Sequence, residues 1–284
     1  MMTLPNFVWY ILLSLLSLFL LIYTFIIKRK EFKKVLSVYM FISGLSFIVD
    51  FIILVCFKAY TYNPEILESE WFDSIMGSFT SQAIAVPAAA VFLTAFQLGW
   101  QWIFLFTAIL TGIELFFLNI DIYKQYWWST VYTAVLLPIG FRLSQKWYHA
   151  LSDPKKIVEL STIYLGLNTY AQSLKFFLVV SFSSHQYQVG LFSDPLRDSI
   201  FGNSIYLLII TVIMSLIIVF CFKWYIAVIL IVLEWAVTKW LEVSGILKLA
   251  PHWNTGYFSL LFVATLLLFR WIYIKVFEKE RFFI

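Results

Sequence analysis

The chain has 284 residues, of which 62% are hydrophobic and 13% charged, with a formal net charge of +4 and a mean hydropathy of +0.88. Soluble domains carry about 25% charged residues, and a soluble fold of this length could not hide so much apolar surface, so the bilayer must be part of its solvent. The absence of a soluble basic domain argues against nucleic acid as a partner.

Apolar runs punctuated by charges, Pro and Gly predict nine helical spans, each approaching the roughly 20 residues needed to cross about 30 Å of hydrocarbon. They are placed at 7–27, 35–57, 82–98, 102–119, 127–143, 160–183, 204–222, 225–246 and 255–276. The segment MMTLPN lacks a basic n-region and the apolar run after it is long, so span 1 reads as retained, not as a cleaved signal. Span 3 is short and broken by Pro87, and only Gly99–Gln101 separates it from span 4, so these two form either a tight hairpin or a re-entrant pair. Pro87 and Pro138 predict kinks whose freed carbonyls need other donors. Cys56 and Cys221 lie in apolar spans, without metal-binding spacing or a CxxC, and read as small hydrophobes.

Basic residues set the orientation. Lys28, Arg29, Lys30, Lys33 and Lys34 follow span 1, and Arg142, Lys146, Lys155 and Lys156 follow span 5. Lys223 separates spans 7 and 8, while Arg270, Lys275, Lys279 and Arg281 close the sequence. With nine spans all fourteen share one side, against Lys58, Lys124, Arg197 and Lys248 on the other. The positive-inside rule then gives a cell-membrane protein with an outside N-terminus and a cytoplasmic C-terminus.

The two long outward connections, 58–81 and 184–203, resemble each other. Tyr62, Asp73, Ser74, Ile75 and Gly77 recur 125 residues later as Tyr187, Asp198, Ser199, Ile200 and Gly202. The same offset pairs Trp128, Thr130 and Tyr132 with Trp253, Thr255 and Tyr257, and Tyr39, Phe51 and Phe57 with Tyr164, Phe176 and Phe182. Seventeen identities result, where a composition this skewed would give roughly half as many by chance. The fold expected is therefore all-α: a polytopic helical bundle with a four-helix repeat. Residues 1–34 hold span 1 and its basic loop, 35–159 the first copy and 160–284 the second. Four spans per copy is even, which makes the repeat parallel and leaves span 1 at the periphery. The Asp73-Ser74 and Asp198-Ser199 pairs are expected to cap helices, with solute or ion binding as the alternative.

The segments IELFFLNIDIYKQYWWSTVYTAV and VLEWAVTKWLEVSGILKLAPHWNTGYFSLL resemble a family of small uncharacterised integral membrane proteins of spore-forming bacteria, each about one such unit long. The resemblance covers spans 1–5 as a full copy and spans 6–9 as a copy lacking its first span. Its matching positions are Glu114 with Trp127 and Trp128, and Glu234 with Trp253. It implies an architecture and no activity.

Six ionisable residues fall inside spans: Asp50, Glu114, Lys175, Glu234, Lys239 and Glu242. Such groups are costly in lipid and usually face a protein interior. In the 125-residue register Asp50 answers to Lys175 and Glu114 to Lys239, while a gapped register matches Glu114 with Glu234. All but Glu234 lie in the outer half of the bilayer. Glu234 and Lys239 diverge by about 140° around one helix, whereas Lys239 and Glu242 can meet. Either the charges pair and lock helices together, or they line a polar cavity for a small solute or a proton relay, with Glu234 the sharpest candidate. Trp127, Trp128, His252 and Trp253 read as interfacial anchors or as an aromatic rim with a titratable His252. No metal site, cofactor motif or catalytic constellation is present: there is no HExxH, GxSxG, Walker loop or dinucleotide turn. The function expected is binding or transport of a small solute or ion between the repeats. The alternative is a non-catalytic structural or assembly protein that docks other membrane proteins through its acidic outer loop.

Overall fold

The computed structural model describes residues 4–278. Among these residues it contains nine continuous helices: α1 (Asn6–Ile27), α2 (Arg29–Cys56), α3 (Glu70–Ala95), α4 (Trp100–Asn119), α5 (Thr130–Ala150), α6 (Lys156–Phe182), α7 (Pro195–Cys221), α8 (Trp224–Val243) and α9 (Thr255–Glu278). Six of them, α1, α2, α3, α4, α7 and α9, are long and apolar enough to cross a membrane. The other three carry charge along their length, among it Arg142 and Lys146 in α5, Lys175 in α6, and Glu234, Lys239 and Glu242 in α8. Side chains that a soluble protein would bury lie on the outside: Phe19 is 72% exposed and Trp240 62%. An apolar exterior of this kind needs lipid around it. Lys279 and Arg281, part of the last basic group, lie outside the described residues.

The chain divides into two compact units, Met1–Val158 and Glu159–Ile284. In the first, α1 packs along α3, and its basic loop runs directly into α2. The helix is not merely peripheral, because Tyr10 is buried and donates a hydrogen bond to the Ile122 carbonyl at 2.6 Å. Tyr10 joins Leu54, Ala59, Tyr60, Phe117, Ile122 and Tyr123 in one core cluster.

A short antiparallel ribbon ties the helix ends of each unit. Strand β1 (Tyr60–Tyr62) follows α2 and pairs with β2 (Tyr123–Gln125), which follows α4, in the register Tyr60↔Gln125 and Tyr62↔Tyr123. Strand β3 (His185–Tyr187) follows α6 and pairs with β4 (Leu247–Leu249), which follows α8, as His185↔Leu249 and Tyr187↔Leu247. Neither ribbon was expected from the apolar patterning. The two pairings force the ends of α2 and α4, and likewise those of α6 and α8, to one end of their own unit. At the opposite end of the first unit the Lys34 ammonium reaches Ser152 at 3.0 Å, Lys28 lies over the Phe96 ring and Arg142 over Trp100. Gln145 donates to the Leu98 carbonyl at 2.8 Å and so fastens the α3–α4 turn there.

Helices α3 and α7 begin earlier than expected. Ser69 caps α3 by accepting from the Phe72 amide, and Asp194 caps α7 by accepting from the Leu196 and Arg197 amides. The expected caps, Asp73-Ser74 and Asp198-Ser199, therefore sit inside the first turns and reach backwards. Asp73 accepts from the amides of Glu65, Ile66 and Leu67, and Asp198 from those of Val189, Gly190, Leu191 and Phe192. Ser74 and Ser199 accept from the amides of Tyr62 and Tyr187. A loop without regular structure needs acceptors for its amides, and each carboxylate gathers several at once. The sequence pattern was right that these pairs recur but wrong about their role, because a better cap stands four residues upstream of each aspartate. The glycine one turn on lets the ribbon approach: a Cβ at Gly202 would lie 2.8 Å from that of Tyr187, and Gly77 stands in the same relation to Tyr62.

Pro87 does not break α3. A wide helical turn over Thr80–Ala85 precedes it and the helix continues. Proline has no amide to offer the carbonyl four residues back; that carbonyl, Ala83, accepts instead from the Tyr39 hydroxyl of α2 at 3.0 Å. Tyr39→Phe is expected to lower stability by about 1 kcal/mol, the net worth of a partly buried hydrogen bond. Adding Pro87→Ala, which restores an amide donor, should recover most of that loss. Thermal unfolding of the single and double variants in detergent checks both.

Candidate functional site

Alternation along a strand sends every second side chain to the same face. In the first unit this brings Tyr60 and Tyr62 of β1 together with Tyr123, directly opposite Tyr62, and Gln125, opposite Tyr60. The ring centroids of Tyr62 and Tyr123 are 4.9 Å apart, those of Tyr60 and Tyr123 5.5 Å, and those of Tyr60 and Trp128 5.7 Å. Beneath this aromatic face lies a cavity of about 310 Å³, bounded by α1 to α5. Leu110, Ile113, Leu136 and Phe141 contribute to its apolar wall, and Asp50, Glu114, Ser81, Gln82 and Thr133 to its polar groups.

Asp50 is 7% exposed, and both carboxylate oxygens are hydrogen-bonded. Tyr60 donates its hydroxyl to Oδ1 and Ser78 donates to Oδ2, each at 2.7 Å. Glu114 is half-buried; its Oε1 accepts from Gln125 at 2.7 Å and from Thr130 at 3.4 Å. Burial holds the phenols of Tyr60 and Tyr62 well above the usual tyrosine range, with the neighbouring Asp50 charge acting in the same direction. Both phenols keep their protons and can donate. Trp128, expected as an interfacial anchor or as part of an aromatic rim, lines the cavity and bonds Thr133 at 3.0 Å. Trp127 bonds the Phe57 carbonyl at the same distance, pinning the end of α2.

The second unit arranges the same parts differently. His185 and Tyr187 occupy the β3 positions that Tyr60 and Tyr62 hold in β1, and Leu247 stands opposite Tyr187. Glu234 is 4% exposed although its neighbours Leu233 and Trp235 face outwards. Its Oε1 accepts from Thr238 at 2.9 Å and from Tyr206 at 3.1 Å, and its Oε2 from Ser259 at 2.9 Å. The Lys175 ammonium of α6 lies 3.6 Å from the centroid of the Phe258 ring. Lys239 and Glu242 meet at 3.0 Å on the outer surface of α8, the divergence from Glu234 that the helical spacing implies. His252 is exposed in the turn before α9 and joins neither cluster.

The predicted site residues therefore occupy different places within their own units. Asp50 and Glu114 line the first-unit cavity, Lys175 and Glu234 belong to the second-unit interior, and Lys239, Glu242 and His252 are at the surface of that unit. Sequence reasoning missed the partners: Tyr60, Tyr123 and Ser78 in one unit, Tyr206, Ser259 and His185 in the other. The recurring Tyr62 and Tyr187 were visible, and reading two residues back from each would have found the ribbon face.

No group of three or more histidine, cysteine or acidic residues suited to a metal ion occurs among the described residues. No family model, no curated protein and no solved structure matches the chain.

His185 is 3% exposed, with Ser184 at 2.8 Å from Nδ1 and Asn203 Oδ1 at 3.4 Å from Nε2. A neutral ring carrying its proton on Nε2 satisfies both partners. Burial lowers its pKa to about 3, and the nearby Lys175 charge pushes the same way against the Asn203 bond. A base whose folded pKa lies below its unfolded value, near 6.5, contributes stability that is complete above that value. This contribution is lost as pH falls from about 6.5 towards 3, because the unfolded chain takes up the proton first. Thermal midpoints measured in detergent between pH 7.5 and 4.5 should fall with acidification, and His185→Gln should flatten that slope.

Proposed function

We propose that this membrane protein binds a small solute in the cavity of its first unit, as part of a transport or solute-sensing role in the cell membrane. One observation carries the reading: a cavity of about 310 Å³ holds two carboxylates, Asp50 and Glu114, among hydroxyls and aromatic faces. Ligand sites are mostly apolar hollows with a few convergent polar groups, of roughly 300–1,000 Å³, and an acid kept at membrane depth marks a functional position. The reading places nine crossings in the bilayer, with the ribbons outside and the basic loops in the cytoplasm. The basic groups at one end of the first unit and the ribbon at the other support that alternation. It also treats the two units as copies of one four-helix ancestor. The recurring ribbon, backward-reaching aspartate and close-approach glycine, spaced by 125 residues, support a duplication. The likeness to small membrane proteins of spore-forming bacteria is part of the same proposal and rests on the loose apolar motif alone.

A second reading has its own support. Both oxygens of Asp50 and of Glu234 are hydrogen-bonded within their units, as they would be if they only fixed helix packing in a structural or assembly protein. Solvent access separates the two. In a Cys56→Ala, Cys221→Ala background, Ser81→Cys puts a thiol on the cavity wall. Solute binding predicts that a small, membrane-impermeant thiol reagent modifies it in reconstituted vesicles, and that Gly140→Leu, which has room for its Cβ, blocks the modification by filling the cavity. A thiol that stays unmodified from both faces of the membrane favours the structural reading.

A further inference from the structure

We propose that the solute is a small organic cation: an ammonium head on an apolar body, held between the two carboxylates and the tyrosine face. This rests on the solute-binding reading of the cavity and adds the ligand's chemistry. Asp50 and Glu114 both line the cavity, and among the described residues no lysine, arginine or histidine does. Their hydrogen-bond donors, Tyr60, Ser78, Gln125 and Thr130, are all neutral, so the opposite charge that would balance the acids is left for a ligand to bring.

Tyr60, Tyr62, Tyr123 and Trp128 present clustered rings beside Asp50, and aromatic faces attract ammonium groups by their quadrupoles, most strongly where water is excluded. The remaining wall is aliphatic, including Leu110, Ile113 and Leu136. A hard inorganic cation takes six or more oxygen ligands in close array, which such a wall does not offer, whereas a hydrocarbon body fits it.

The second unit carries a cation of its own. Lys175 stands 125 residues after Asp50, and its ammonium rests on the Phe258 ring at 3.6 Å. Ser259, the next residue after Phe258, donates to Glu234 at 2.9 Å, and Tyr206 donates to the same acid at 3.1 Å with its ring centroid 6.2 Å from that of Tyr187. Acid, aromatic face and ammonium thus occur together there, with the ammonium tethered to the backbone. The first unit has the acid and the aromatic face, a second acid where a lysine would be, and open space. What the second unit provides covalently, the first is built to take from solution.

The test uses the full chain in lipid vesicles with the Ser81→Cys thiol and phenethylammonium as probe. Phenylacetate and 2-phenylethanol serve as the anionic and neutral counterparts of similar shape. Saturating phenethylammonium is expected to slow thiol modification about tenfold, equivalent to about 1.4 kcal/mol, while the other two leave it within about twofold. Asp50→Asn should abolish the protection; should that variant fail to fold, Glu114→Gln, at a half-buried position, should weaken it. Equal protection by phenylacetate or 2-phenylethanol, or protection by no cation when tetraethylammonium is also tried, overturns the ligand class and leaves the solute-binding reading standing. A thiol that is never modified overturns both.

Discussion

The structure depends on keeping carboxylates away from lipid. Hydrocarbon offers a charged or polar group no partner, so each such group must find one inside the protein. Asp50 does so through the hydroxyls of Tyr60 and Ser78, and Glu234 through those of Tyr206, Thr238 and Ser259. Each acid therefore draws together a set of elements. In the first unit these are α2, the ribbon and α3; in the second, α7, α8 and α9. Removing one hydroxyl would leave the acid partly unpaired, so these contacts specify packing as well as tolerate charge.

The ribbons extend this logic to the helix ends. Three residues per strand are too few to be stable alone. They persist because Tyr10, Tyr60 and Tyr123 bury their rings against the helices and because Asp73 and Asp198 bind the loop amides beside them. Gly77 and Gly202 allow the strand backbone to lie directly on the following helix. Function, on the account proposed here, grows from the same device. A ribbon that must bury aromatic rings above an acid provides an aromatic cover, and where the space beneath is left open it becomes a site.

Much of this was legible in the sequence, for physical reasons. Apolar length and charge placement anticipate a helix in each of the nine regions, and six of these helices are long and apolar enough to cross a membrane, because the bilayer imposes a simple length rule. The three-residue spacing of Lys239 and Glu242 gives their contact, and the five-residue spacing gives the burial of Glu234 opposite an exposed Lys239. Helix starts were misplaced because Ser69 and Asp194 are modest signals beside the more prominent Asp73-Ser74 and Asp198-Ser199. The backward reach of those aspartates depends on loop geometry that no local pattern encodes. The partners of Asp50 were hidden as well: Tyr60 lies ten residues away and Ser78 twenty-eight. Only the pairing of β1 with β2, more than sixty residues apart, closes the cavity. The freed carbonyl at Pro87 was foreseeable, but its donor, Tyr39, required tertiary contact.

Asp50 and Glu234 sit on protein-facing stripes of helices whose other faces are apolar and exposed. Helix α8 shows this most directly, since Leu230, Glu234 and Thr238 are buried at four-residue intervals while Val232, Leu233, Trp235 and Val237 face outwards. Nitroxide labels placed singly from 230 to 238, in protein reconstituted into bilayers, report collision with dissolved oxygen, which concentrates in lipid. The account predicts minima at 230, 234 and 238 and maxima at 232, 233 and 237. A maximum at 234, or uniform accessibility along the helix, would contradict it.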